Sequence, residues 1–189
     1  VINPDSKISQ LSLLTPPEKN QILCKWNDNK TNYPRNKSIH QLFEEQVEKS
    51  PNATAVIFKD QILTYQELNQ KANQLARYLQ KLGVKLETFV GLYVESSFEM
   101  IIGLLAILKS GGVYVPLDSN YPQERLNFIL EDTAISILLT TKFLSNKLPF
   151  NNAKIVDLSN HNSFNSFPLH NLNVTVKSYN LAYVIYTSG

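Results

Sequence analysis

Thr187, Ser188 and Gly189 follow the apolar run Leu181-Ala182-Tyr183-Val184-Ile185-Tyr186 and put hydroxyls and a glycine where a strand would end. At the carboxyl end of a buried strand in an α/β protein, such hydroxyls and the neighbouring backbone N–H groups can hold phosphate oxygens in the crevice outside the sheet. The same residues also suit an ordinary turn at the end of a buried strand, and three residues alone do not choose between the two. The other reactive side chains are scattered. Asp118 ends a predicted strand and has the chemistry of a general base, but no His or second carboxylate stands beside it in the sequence. His40 falls in the first turn of a predicted helix and reads as a solvated or capping residue rather than a ligand. His161 and His170 lie in an Asn- and Ser-rich stretch without ligand-type neighbours. No catalytic residue and no metal ligand is assigned, and Thr187, Ser188 and Gly189 are the candidate binding residues.

Composition narrows the setting. With 43% hydrophobic and 18% charged residues, the 189-residue chain has the makeup of a soluble globular protein that can bury a core. A formal charge of +2, with no basic block interleaved with aromatics, leaves nucleic-acid binding unexpected. Cys24 stands alone, so neither an intramolecular disulfide nor a cysteine-built zinc site is available, and a cytoplasmic setting is expected. Val1 to Ser6 carries no basic region followed by an apolar stretch, so this stretch is not expected to be a signal peptide. Met100 to Leu108 is strongly apolar but bounded by Glu99 and Lys109, far short of the roughly 20 residues that cross a bilayer. It is expected to be a buried core helix, with no membrane partner.

The elements that must position the candidate residues follow from periodicity and caps. A polar, turn-rich stretch from Asn27 to Lys37 divides a leading segment from the domain proper, with the boundary near residue 37. Ser38-Ile39-His40-Gln41, Thr64-Tyr65-Gln66-Glu67 and Ser96-Ser97-Phe98-Glu99 have capping-box spacing. The second box predicts a helix from Tyr65 to Leu82, with Leu68, Ala72, Leu75, Ala76 and Leu79 buried, a polar solvated opposite face, and Gly83 as its stop. Strands are predicted over 53–58, 62–64, 89–94, 113–115, 135–140 and 153–157, the first two as a hairpin, with a further helix beginning near Pro122. Strands alternating with helices predict an α/β fold, a largely parallel sheet flanked by helices. Val90, Leu92, Val113, Val115, Ile137, Leu139, Ile155, Val184 and Ile185 are expected to be buried in it. Asn160 to Asn173 reads as a surface loop.

Three segments, in order and spacing, resemble the adenylation domains of nonribosomal peptide synthetases, within the superfamily of adenylate-forming enzymes. Leu63-Thr64-Tyr65-Gln66-Glu67-Leu68 is similar to the first core motif of that family, and Leu108 to Asp118 to the second, with Ser110 where Ala is more usual. Leu181 to Gly189 is similar to the opening of the third, the loop that clasps the ATP phosphates. Gln10 to Lys19, Trp26-Asn27 and Tyr33-Pro34 resemble the connector that leads from a condensation domain into an adenylation domain.

The resemblance implies a connector over 1–37 and, over 38–189, the first part of the large N-terminal subdomain of an adenylate-forming enzyme. It implies activation of an amino acid by ATP and Mg2+ to an aminoacyl adenylate, then loading onto the phosphopantetheine of a carrier domain. The partners implied are an amino acid, an upstream condensation domain and a downstream peptidyl carrier domain. Only Thr187, Ser188 and Gly189 carry over as phosphate-loop positions, so the 189-residue polypeptide by itself is expected to be inactive. Two other readings stay open: an adenylate-forming ligase for a fatty or aryl acid, against which the connector argues, and a non-catalytic docking module.

Overall fold

The computed structural model describes residues 13–149 and 152–187, which fall into two units, Val1–Arg35 and Asn36–Gly189. In the first, Thr15 caps α1 (Pro16–Asn20) through a reciprocal box: its N–H donates to the Glu18 carboxylate at 2.8 Å, and Glu18 N–H donates to Thr15 Oγ1. One π-helical turn, Gln21–Lys25, continues it.

The second unit opens with α2 (Ile39–Lys49), the antiparallel hairpin β1 (Thr54–Phe58) and β2 (Gln61–Thr64), and α3 (Tyr65–Lys81). Three βα units then alternate: β3 (Phe89–Tyr93), α4 (Phe98–Ser110), β4 (Val113–Pro116), α5 (Gln123–Asp132), β5 (Ile137–Thr140), the short α6 (Lys142–Ser145) and β6 (Lys154–Asp157). The last four strands form one parallel sheet in the order β4-β3-β5-β6. From β3 the chain crosses to β4 by way of α4, then passes back over β3 to β5 by way of α5. The two crossovers run in opposite directions, and α4 and α5 pack on opposite faces of the sheet, as crossovers of one hand require. The core divides accordingly. Val90, Leu92, Ile137 and Leu139 pack with α3 and α4, while Tyr93, Val115 and Leu138 pack with Leu126, Ile129 and Leu130 of α5.

Local chemistry explains where the helices begin and end. Thr64 caps α3 through a complete box, with Thr64 N–H to Glu67 Oε2 at 2.9 Å and Glu67 N–H to Thr64 Oγ1 at 3.2 Å. Gly83 (φ 102°) and Gly111 (φ 91°) supply the left-handed residues that stop α3 and α4, a conformation costly for any residue with a Cβ. Gly103 lets α4 approach the sheet, because a Cβ there would lie 2.9 Å from Leu92 Cδ1. Among the described residues no helix is long and apolar enough to cross a membrane.

The structure corrects several expectations. The box predicted at Ser96 does not form: Ser97 is the N-cap of α4, so the third helical position is Met100, which has no side-chain acceptor to reciprocate, and Ser97 itself makes no side-chain cap bond. The polar face of α3 is solvated only in part: Gln66, Glu67, Gln80 and Lys81 are exposed, but the segment predicted as a surface loop lies across the rest. Asn73, fully buried, donates to Leu169 O at 2.7 Å and to Asn171 Oδ1 at 3.1 Å, and Asn69 donates to Asn171 Oδ1 at 2.8 Å. Arg77 donates to His170 O and Asn171 O, and Phe164 of the same segment is buried in the core.

His40 is buried rather than solvated. It sits near Lys109, whose buried ammonium pairs with Glu44, one helical turn after His40. Burial, and then the Lys109 charge, push the His40 pKa down to about 4. Of the nine positions expected in the sheet core, Val90, Leu92, Val113, Val115, Ile137 and Leu139 are buried. Ile155 is not, being 40% exposed on the edge strand β6, where one flank of the sheet ends.

Candidate phosphate-binding edge

The run from Leu181 to Tyr186, expected as a buried strand, is instead an edge held at particular points. One parallel bridge joins Tyr183 to Tyr114 of β4: Tyr114 N–H donates to Ala182 O and Val184 N–H to Tyr114 O, both at 3.1 Å. The two tyrosine rings lie 5.5 Å apart. Upstream, Glu87 Oε1 accepts from Asn180 Nδ2 at 2.8 Å and from Leu181 N–H at 3.3 Å, fixing where the segment enters. Burial alternates with the period of an extended chain. Ala182, Val184 and Tyr186 are half-buried, and Val184 and Tyr186 pack against the α5 side of the core. Leu181, Tyr183 and Ile185 point the other way and remain 50%, 49% and 55% exposed, which corrects the expected burial of Ile185. α5 covers one side of the edge; the opposite side is open.

At the carboxyl end of this edge, α5 meets Tyr186 at three points. Arg125 Nη2 donates to Tyr186 O at 3.3 Å, the Phe128 and Tyr186 rings meet edge-on with centroids 6.2 Å apart, and the Tyr186 hydroxyl donates to the Asp132 carboxylate. Burial, followed by the Asp132 hydrogen bond and charge, raises the Tyr186 pKa to about 12, so the phenol remains a donor at neutral pH. Thr187 follows, exposed. Of the predicted site residues, Thr187 is the one the structure places; Ser188 and Gly189 lie outside the described residues. Arg125, Phe128 and Asp132 fall in the helix expected to begin near Pro122, with no role assigned to any of them. The signal was present in their spacing, since residues i, i+3 and i+7 share one face of a helix.

Asp118 ends β4's extension in a local turn, accepting from Asn120 N–H at 2.8 Å and Asn120 Nδ2 at 3.0 Å, so it acts as a turn residue. With Glu95, Ser96 and Ser119 it lines an open, acidic depression at the carboxyl ends of β3 and β4. Among the described residues no group of three or more His, Cys, Asp or Glu side chains is placed to hold a metal ion.

The sequence pattern of the AMP-binding enzyme family matches residues 43–189. The chain is 47% identical to Gramicidin S synthase 2 of Brevibacillus brevis, over 100% of this chain and 4% of that protein. It is 43% identical to Bacitracin synthase 3 of Bacillus licheniformis, over 100% of this chain and 3% of that protein. The chain therefore spans only a small part of the curated relatives it matches. Among solved structures, the nonribosomal peptide synthetase FmoA3 superposes with a TM-score of 0.80 at 28% identity, covering 87% of this chain and 17% of that one. Its AMPPNP-bound form gives a TM-score of 0.81 at 26% identity, covering 90% and 18%. The family match over residues 43–189, the relatives and the parallel sheet shared with the solved structures show that the chain belongs to the AMP-binding enzyme family, as part of an adenylation domain of the nonribosomal peptide synthetase type.

Proposed function

We propose that the protein carrying this chain activates an amino acid with ATP, giving an aminoacyl adenylate and pyrophosphate, and passes the aminoacyl group to the phosphopantetheine thiol of a carrier domain. The observation that carries this reading is the similarity over the full chain to Gramicidin S synthase 2 and Bacitracin synthase 3, at 47% and 43% identity. That extent argues against a fatty- or aryl-acid ligase and against a docking module.

In this reading the hydroxyls of Thr187 and Ser188 and the backbone N–H at Gly189 contact the ATP phosphates. The residue in view suits the role: Thr187 carries an exposed hydroxyl at the carboxyl end of the edge, one residue beyond a carbonyl held by the Arg125 guanidinium. Donors fixed before the reaction stabilise charge as it develops on the leaving pyrophosphate, without reorganising at that moment. Gly189 allows the backbone to approach a phosphate closely. Mg2+ would neutralise phosphate charge, and no residue of this chain is assigned to it. Residues 1–37 form the connector from an upstream condensation domain, residues 38–189 belong to the adenylation domain, and the enzyme works in the cytoplasm. FmoA3 has been solved with AMPPNP, which supports nucleotide use by this fold.

The test is amino-acid-dependent ATP–pyrophosphate exchange by the whole enzyme, screened across amino acids and, in parallel, fatty and aryl acids. Exchange with one or a few amino acids is expected. Exchange only with a fatty or aryl acid would replace the proposed substrate class, and no exchange with any acid would favour the docking role.

A further inference from the structure

We propose that Arg125, Phe128 and Asp132 form a grip on Tyr186 that sets where the phosphate-binding residues stand, making them positioning residues for nucleotide use. The inference rests on the reading of Thr187 to Gly189 as the phosphate loop.

The argument begins with α5. Leu126, Ile129 and Leu130 are buried against the sheet and fix the helix rigidly. The adjoining face carries Arg125, Phe128 and Asp132, one turn apart in succession, and each meets a different part of one residue. Arg125 holds the Tyr186 carbonyl, Phe128 the ring and Asp132 the hydroxyl. With a side chain tied at its tip and its middle and a backbone tied at its carbonyl, Tyr186 has no free rotation to offer the next peptide.

Arg125 is unusually committed to this task. Its guanidinium lies 4.6 Å from the Tyr121 ring centroid and its Nε is buried without a hydrogen-bond partner, so among the described residues its hydrogen bonding goes to Tyr186 O. A buried, unpaired N–H is costly, and a position that needed only packing could be filled by an apolar side chain without that cost. The edge needs such a fixture. It is held to the sheet by one bridge and half-exposed on its outer side, whereas a site for phosphate must keep its donors within a fraction of an ångström.

The test uses the whole enzyme with Asp132→Ala, Asp132→Asn, Tyr186→Phe, the Asp132→Ala/Tyr186→Phe pair and Thr187→Ala. Exchange kinetics are measured with ATP and amino acid varied separately, alongside amide hydrogen exchange over 183–187. Asp132→Ala and Tyr186→Phe are each expected to raise KM for ATP roughly tenfold, the scale of one hydrogen bond to a charged acceptor, and to leave KM for the amino acid unchanged. The pair should be no worse than either single change, and Asp132→Asn, which keeps an acceptor, should recover most of the loss. The Val184 amide should exchange faster in Asp132→Ala.

Unchanged hydrogen exchange in Asp132→Ala, fully additive effects in the pair, or equal increases in both KM values would overturn the grip. If Thr187→Ala raises KM for ATP while Asp132→Ala and Tyr186→Phe do not, the phosphate reading stands and the positioning role falls. If amide exchange quickens yet neither Asp132→Ala nor Thr187→Ala alters KM for ATP, the phosphate reading itself fails and the proposed role falls with it.

Discussion

Strand β5 and the edge from Leu181 to Thr187 are written in much the same alphabet, and the fold treats them in opposite ways. Ile137, Leu138 and Leu139 are almost completely buried, because β5 has a hydrogen-bonded neighbour on each side and helices over both faces. Val184, Ile185 and Tyr186 have one strand neighbour and one covered face, so the edge takes its position from a few directed contacts instead of from enclosure. Burial gives stability without direction; hydrogen bonds to a rigid helix give direction at little gain in stability. A segment that must offer hydroxyls to a ligand needs the second kind of support.

The contrast can be broken most forcefully by truncation. Leu139→Ala in β5 is expected to cost about 3 kcal/mol, as the lost transfer energy and the cavity add, while Ile185→Ala should stay within about 0.5 kcal/mol because its side chain already meets solvent. Urea unfolding of the two variants measures the difference. Similar losses would mean that the edge is enclosed after all.

The next effect concerns a buried polar group away from the edge. His40 has a folded pKa of about 4 against an ordinary 6.5, set by burial and by Lys109, which itself is pushed down by burial and held up by Glu44. Between those values the unfolded chain binds a proton at His40 that the folded protein does not. Stability is therefore greatest above pH 6.5 and declines as pH falls toward about 4. The urea midpoint should follow that slope, and His40→Asn should flatten it; an unaltered slope would assign the dependence to other groups.

Smaller still is the difference between two caps that look alike in sequence. Thr64→Ala removes a cap hydrogen bond of 3.2 Å and should cost about 1 kcal/mol. Ser97→Ala removes none and should stay within about 0.5 kcal/mol. Thermal unfolding of both separates a working cap from a residue that merely occupies the position.

These pairs also show what the sequence made legible. The strands, the hairpin, the Thr64 cap and the stop at Gly83 depend on residues within one turn or one strand of each other, and local pattern specifies them. What escaped depends on distant partners. Asn69 and Asn73 read as a solvated stripe until Leu169 and Asn171, about a hundred residues later, close over them. His40 looks exposed until Lys109 and α4 arrive beside it. Ile155 and Ile185 match their buried counterparts in type and differ only in standing at the rims of the sheet. At the candidate site, the apolar run that ends at Thr187 is local in sequence, whereas the contacts of α5 with Tyr186 join residues 54 and 61 positions apart, beyond the reach of any local pattern.

In the proposed function this edge presents Thr187, Ser188 and Gly189 to the phosphates of ATP. The most direct test is Gly189→Val in the whole enzyme, with ATP–pyrophosphate exchange followed as ATP and amino acid are varied separately and thermal unfolding as the control for global damage. A side chain at Gly189 should hinder the approach of backbone to phosphate, so a folded variant is predicted to lose ATP use while amino-acid recognition is retained. A folded Gly189→Val enzyme with unchanged ATP kinetics would contradict the account and leave the segment as an ordinary turn at the end of an edge strand.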